Sequence, residues 1–408
     1  MRSLRILLGA FGEPGHAFPM LALGERLVAR GHEVAYETWS RWREHVEAAG
    51  MRFLPAPEYP VFPTREQPIG PYEAVVRATG DTRPRLAAFA PDVVVHDILT
   101  LAPALAAELE GIPVGTLIPH LHPVGIAGLP PYASGMLPPS TGIGRRAWEL
   151  LGRALEGGLR RGRAELNDAR RRLGLGDVER LHGGLSDRLC IVGTFPQLEY
   201  PRSWPSSVHV VGPLLWEPSF GPAPLPPGDD PLVLIAPSTA QDPEQRLLRA
   251  AVTGLSREPV RVLASLNRRP VPASLRIGAN TRLVEWISYS KSMPECSLVI
   301  SHAGHGTLAL ALASGCPVLA VGHSGDMPEN AARVVWAGVG VRLPWRLVSP
   351  TTIAVAARRV LSTPSLGARA QNLGAWLQRS DPATRAAELV EALVPGTPAS
   401  RTAASYTG

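Results

Sequence analysis

The sequence predicts an α/β fold made of two doubly wound, Rossmann-like domains that face each other across a cleft. Three observations predict it. Strand-length apolar runs alternate with helix-length segments in both halves of the 408-residue chain, which is the signature of successive parallel βα units. A stretch rich in proline and glycine, 214–230, divides the two series and offers too little apolar material for a core. In both halves Gly, His, Ser or Asp residues stand where apolar runs end, at the strand exits where doubly wound sheets bind ligands.

Taken in order, residues 4–11 read as the first strand, with Gly9, Gly12 and Gly15 at its exit. Pro19 is expected to open a helix that runs to Arg30 and stops at Gly31. Strands follow at 32–38 and 52–54. The proline-rich stretch 60–72 reads as a surface loop, and two short helices broken at Gly80 lead into a strand over 91–97 that ends in His96-Asp97. A helix over 101–109 stops at Gly111, and 112–118 is the next strand. The segment 119–141, rich in Pro, Gly and His, is long enough to be functional. An Arg-rich helix over 145–172 and short strands at 189–195 and 208–211 complete this half.

The second series has strands at 232–237, 260–265, 282–286, 298–301 and 318–321, then helices over 350–361 and 366–393. The expected division is an N-terminal domain over 1–213, a linker over 214–230 and a C-terminal domain over 231–375. A C-terminal helix over 376–395, packing back on the first domain, and a tail over 396–408 complete the chain.

Composition excludes several classes. Hydrophobic residues at 45% supply two cores, and there is no apolar run of about 18 residues to span a membrane. The apolar run at Leu4–Leu8 is too short for a signal-peptide core, so a cytoplasmic protein is expected. Cys190, Cys296 and Cys316 are scattered among apolar residues and support neither a disulfide framework nor a zinc site. The net charge is +6, carried almost wholly by arginine, Lys291 being the only lysine. The densest basic run, Arg145–Arg172, interleaves Leu150, Leu151, Leu155, Leu159 and Leu166 at helical spacing. It reads as the solvated face of an amphipathic helix and not as a nucleic-acid stripe.

The most informative stretch is Ser301-His302-Ala303-Gly304-His305-Gly306-Thr307. An apolar strand ends in a Gly-rich turn that opens an Ala/Leu-rich helix. Such a turn can place backbone N–H groups and the positive end of a helix dipole under a phosphate. On spacing alone it is equally an ordinary βα turn. Its neighbours carry more. Trp286-Ile287 precedes it; Gly315-Cys316-Pro317, Asp326-Met327-Pro328-Glu329-Asn330 and Gly338-Val339-Gly340 follow it. Near the N-terminus stand Gly15-His16-Ala17-Phe18-Pro19 and, later, Val95-His96-Asp97. Together these resemble the inverting, GT-B-fold nucleotide-sugar glycosyltransferases, the family that includes plant UDP-glycosyltransferases and bacterial antibiotic glycosyltransferases. The resemblance touches both halves in the right order.

The resemblance implies a role for each position. His16 would be the general base that removes the acceptor hydroxyl proton, a task suited to an imidazole. Asp97 would orient it and stabilise the imidazolium, while His96, on the opposite side of the strand, would be structural. The diphosphate would bind His302 and the N–H groups of Gly304, His305, Gly306 and Thr307, and Ser238 and Thr239 would be placed to reach a phosphate oxygen. Trp286 would stack on the base, the Ile287 backbone would read its edge, and Asp326 and Met327 stand where the sugar is held. Phe11, Phe18, His120 and His122 are the candidate acceptor contacts. No metal or further cofactor is implied beyond the nucleotide-sugar co-substrate, and no Asp-x-Asp metal motif is present. The expected partners are that nucleotide sugar and a hydrophobic small-molecule acceptor, with the protein a monomer or homodimer.

Two positions depart from the family pattern. Met327 replaces a Gln, and a thioether cannot donate to a sugar hydroxyl. Leu310 replaces an acidic residue that binds ribose hydroxyls. Both losses favour a thymidine-diphosphate deoxysugar over a UDP-hexose. The expected activity is O-glycosylation of a natural product, as in antibiotic biosynthesis. C-glycosylation of a phenol, a nucleotide-sugar 2-epimerase and a non-catalytic glycosyltransferase-like helper are the alternatives. The His16/Asp97 pair argues against the last two.

Overall fold

The computed structural model describes residues 2–59, 69–221, 223–238, 241–273 and 275–395. Part of the expected loop at 60–72, Thr239 and the expected tail at 396–408 lie outside the described residues. The N-terminal half runs β1 (Arg5–Gly9), α1 (Pro14–Ala29), β2 (Glu33–Thr38), α2 (Arg43–Ala48), β3 (Arg52–Pro55), α3 (Pro71–Phe89) and β4 (Val93–Asp97). It continues through α4 (Leu101–Leu109), β5 (Val114–Ile118), α5 (Gly142–Leu155), α6 (Gly157–Arg172), β6 (Cys190–Val192) and β7 (Val208–Val210). The C-terminal half runs β8 (Leu232–Ala236), α7 (Arg246–Leu255), β9 (Arg261–Ser265), β10 (Thr281–Val284), α8 (Tyr289–Ser292), β11 (Leu298–Ser301) and α9 (His305–Ala313). Then come β12 (Val318–Ala320), α10 (Met327–Trp336), β13 (Gly340–Arg342), α11 (Pro350–Leu361), α12 (Pro364–Arg379) and α13 (Pro382–Ala392).

The described strands form two wholly parallel sheets, in the orders β3-β2-β1-β4-β5-β6-β7 and β10-β9-β8-β11-β12-β13. Parallel strands are covered by helices on both faces, so their sequences are apolar throughout rather than alternating. β1 shows this. Ile6 and Leu8 pack on α1 residues Met20, Leu23 and Leu27, while Leu7 packs on the other face with Leu86 and Phe89. In each sheet the strand order reverses once at the centre, between β1 and β4 and between β8 and β11. Such switch points open a crevice at the strand exits.

The last helix returns to the first half. Ala386, Ala387 and Val390 of α13 lie in one core with β1 and α1. Glu391 holds Arg30 through Nε at 2.6 Å and Nη2 at 2.8 Å, and His32 through Nε2 at 2.8 Å.

Several elements differ from the sequence expectation. α1 begins at Pro14, not Pro19, because Pro14 presets φ at the first helical position. Pro19 then lies inside the helix, where it lacks the N–H that would bond Gly15. α3 is a single helix through Gly80, since tertiary packing outweighs the cost of one glycine. The Arg-rich helix is two helices parted at Glu156, ahead of Gly157-Gly158. Its leucines are not a buried face: Leu150 is 72% exposed, and only Leu166 is in the core. The expected 366–393 helix is broken before Pro382. β13 was not expected, being too short to carry a pattern.

Candidate active site

Because β1 and β4 are neighbours, with Gly9 opposite His96, their exits deliver His16 and Asp97 to one place. Starting α1 at Pro14 puts His16 in its first turn. Asp97 ends β4 with no exposed surface. The His16 Nδ1–H donates to Asp97 Oδ2 at 2.7 Å, and the Leu99 N–H donates to Asp97 Oδ1 at 2.9 Å. The carboxylate is thereby fixed on both oxygens. Phe11 packs its ring against His16 with centroids 4.6 Å apart, and its N–H donates to Thr100 Oγ1 at 2.9 Å. Burial pulls the His16 pKa down, but the Asp97 carboxylate, by its charge and its hydrogen bond, more than offsets this. The net result lies above the ordinary histidine value. His96 faces away. Its Nδ1–H donates to the Asp97 carbonyl at 2.9 Å, and its Nε2 meets the Thr116 hydroxyl at 2.9 Å. Burial pushes it down to about 4.

His16 forms part of the wall of a cavity of about 710 Å³, together with His120, Tyr132 and Asp326. The remaining wall is mostly apolar and comes from α3, the β4 exit and α6, for example Val75, Leu99 and Leu159. His120 stands edge-on to His16 at 6.0 Å and beside Tyr132 at 6.5 Å. Burial, then the neighbouring His16, lowers its pKa. His122 is not brought to the cavity. It is buried, with its N–H on Glu199 at 2.7 Å and its ring against Trp204. Phe18 is also elsewhere, edge-on to Trp42 and Trp216. Sequence reasoning missed Tyr132, although it lies in the flagged 119–141 segment, and it missed Leu99 and Tyr72, which also line the cavity and for which no local signal exists.

On the facing domain β8 and β11 are neighbours, so Ser238 and His302 leave side by side. The turn into α9 is tight. Ala303 is left-handed, at φ 65°, and a Cβ at Gly304 would collide with the His302 ring. Gly304 is the N-cap, and no side chain caps the helix. The first N–H groups of α9 therefore have no intrahelical partner. His302 Nδ1–H donates to the Ala236 carbonyl at 3.2 Å, and burial lowers its pKa. Ser238 is buried, its Oγ accepting from Gln241 N at 2.9 Å. Asp326 is the N-cap of α10 and accepts from Asn330 Nδ2–H at 3.0 Å.

Trp286 is partly covered, with Phe220 edge-on at 5.9 Å and the Arg268 guanidinium 5.1 Å from its ring centre. Arg268 was not anticipated. It follows Asn267, and both residues are left-handed, a conformation that carries strain. The Ile287 side chain is core. Met327 is also core, packed in the cluster that joins α9 and α10, so its side chain is not presented to the cleft. Leu310 borders a second hollow of about 660 Å³, beside Glu217 of the linker. That carboxylate accepts from the Tyr289 and Ser290 N–H groups, both at 3.1 Å.

Residues 249–394 match the family described as erythromycin biosynthesis protein CIII-like, C-terminal domain. The chain is 28% identical over 433 residues to the 4'-demethylrebeccamycin synthase of Lentzea aerocolonigenes, covering 96% of this chain and 99% of that protein. Among solved structures, the calicheamicin glycosyltransferase CalG4 superposes with a TM-score of 0.76 at 22% identity, over 98% of this chain and all of that one (100%). The glycosyltransferase VinC in complex with DTDP superposes with a TM-score of 0.66 at 19% identity, over 96% and 99% of the two chains.

Proposed function

From the premise that this chain is a glycosyltransferase of the GT-B fold with an EryCIII-like C-terminal domain, we propose that it moves a sugar from a nucleoside diphosphate to a hydroxyl of a hydrophobic natural product, with inversion. The observation that carries this reading is the His16–Asp97 pair at 2.7 Å on the wall of a largely apolar cavity, with Asp326 of the donor domain on the same wall.

With Nδ1–H held by Asp97, Nε2 is the nitrogen left to accept a proton. It takes the acceptor hydroxyl proton as that oxygen attacks the anomeric carbon. The new C–O bond forms on the face opposite the breaking bond to the diphosphate, which inverts the centre. Asp97 stabilises the imidazolium, as an orienting carboxylate does in a hydrolytic triad. Negative charge grows on the departing diphosphate, where the open N-terminus of α9 offers fixed N–H donors. An arriving diphosphate also favours protonation of His302, because an adjacent negative charge stabilises the imidazolium. The cavity volume suits a drug-sized aglycone.

For the donor, we propose a thymidine diphosphate deoxysugar. Leu310 cannot bind a ribose hydroxyl, and Met327 is spent on packing, so fewer hydroxyls are met. The VinC structure, which contains DTDP, supports this choice. The test is a thermal-shift titration with TDP and UDP, then turnover of TDP-sugars against a panel of polycyclic and macrolide aglycones. TDP should raise the melting temperature more than UDP. A clear preference for UDP overturns the donor assignment, and unchanged turnover in His16→Ala overturns the base assignment.

A further inference from the structure

Helix α5 has an apolar face that no described residue covers. The helix is 14 residues long and opens on Thr141, whose Oγ1 accepts from the Gly144 N–H at 3.1 Å. None of its described side chains is buried, and none enters one of the hydrophobic cores. Ile143, Leu150, Leu151 and Leu155 share one side of the helix, at the i, i+7, i+8 and i+12 spacing. They are 84%, 72%, 47% and 52% exposed. Arg145 and Arg146 flank this stripe on its two sides, and Glu149 lies opposite it. A helix of this length that contains Gly142, Gly144 and Gly152 is marginal in water unless its apolar face is packed.

Charge and position say what packs on it. Residues 142–163 carry six arginines and two glutamates. Arg145 and Arg146 are exposed, as are Arg160 and Arg161 at the start of α6. A second copy of the chain would set these arginines against their own kind. An anionic bilayer surface pairs with them instead. Arginines beside a leucine stripe reach headgroup phosphates while their stems lie on apolar surface. The half-buried Trp148 stands at the edge of the stripe, where an indole suits the boundary between headgroups and acyl chains. The stripe also leads somewhere. Glu156 keeps right-handed helical dihedrals, φ −68° and ψ −7°, so the leucine-bearing side passes on from Leu155 to Leu159. Leu159 and Leu99 are both exposed and both line the cavity that holds His16. The apolar surface thus runs from α5 to the rim of that cavity.

We propose that α5 and the start of α6 dock on the surface of an anionic lipid bilayer, with Ile143, Leu150, Leu151 and Leu155 set into the headgroup boundary. The docking stands apart from the glycosyl-transfer reading. With that reading, the rim of the cavity faces the phase in which a hydrophobic acceptor dissolves.

The test is co-sedimentation of the full chain with vesicles of phosphatidylcholine alone and of equal parts phosphatidylcholine and phosphatidylglycerol. The wild type should bind the mixed vesicles, bind the neutral ones about tenfold more weakly or less, and lose binding as salt is raised. The double variants Leu150→Gln/Leu151→Gln and Arg145→Gln/Arg146→Gln change only exposed side chains. Each should weaken binding to the mixed vesicles by about tenfold or more and leave the melting temperature unchanged. No binding by the wild type, or binding that neither variant weakens, overturns the proposal. A wild-type dimer that Leu150→Gln/Leu151→Gln dissociates also overturns it, because a second copy then covers the face. TDP binding on the same samples separates this proposal from the functional one. Vesicle binding without TDP binding sinks the transfer reading alone, and TDP binding without vesicle binding sinks only the docking.

Discussion

His16 is held between opposing influences, and the winner fixes the pH dependence. Burial favours the neutral ring, while Asp97, held on both carboxylate oxygens, favours the charged one and prevails. As the proposed base, His16 acts only when neutral, so kcat/KM for the acceptor should rise with pH through an apparent pKa above the ordinary 6.5. Asp97→Asn removes the group that raises the pKa, so the acid limb should move to lower pH. The maximum should also fall, by about 10²–10⁴-fold, because the imidazolium loses its partner. A pH–rate profile of the two proteins checks both effects. His16→Ala should lose a similar factor in kcat and leave TDP affinity unchanged, as read by calorimetry. The types and order of these two residues were legible in the sequence. That their rings and carboxylate meet was not, because they are 81 positions apart and touch only through the pairing of β1 with β4. His122 and Phe18 illustrate the converse. Polar and aromatic residues close in sequence to a site face wherever the local chain turns, and these two are spent on packing.

At the scale of the element, α9 depends on one close approach. Gly304→Ala sets a Cβ against the His302 ring and should weaken TDP by about tenfold or more, as calorimetry would show, while the melting temperature moves little. Elsewhere, α13 is bound to the N-terminal half by Glu391. Removing that carboxylate in Glu391→Ala leaves Arg30 and His32 without their acceptor, which costs about 1–3 kcal/mol and should lower the melting temperature. Arg30 holds the Glu391 pKa down, with burial opposing and His32 assisting. This stabilisation is complete above the carboxyl's unfolded value and is lost as pH falls through the depressed one. The deficit of the variant should therefore shrink in acid. Element boundaries were the least legible feature, because Pro14, Gly80 and Pro382 each allow a helix to start, continue or stop, and neighbouring elements decide which.

Across the whole molecule, α10 joins the C-terminal half to the N-terminal half. Arg333 donates from Nε to Glu329 at 2.9 Å and from Nη1 to the Leu198 carbonyl at 2.8 Å. It also reaches Glu199 at 3.3 Å and lies over the Tyr200 ring. All three charged side chains are buried. Arg333→Ala should leave the buried Glu329 without its ion-pair partner and Glu199 with only Arg202 nearby, costing about 3–5 kcal/mol. The loosened domain contact should appear as a larger radius of gyration by small-angle scattering. The sequence by itself determined the two α/β series and the places where their strands end. Those depend on local periodicity and on which residues can turn sharply. Only the tertiary structure decided which exits face each other, that Met327 packs inward and that α5 leaves its leucines in solvent. Strand order, domain apposition and side-chain burial arise from contacts between distant segments, and local periodicity carries no record of them.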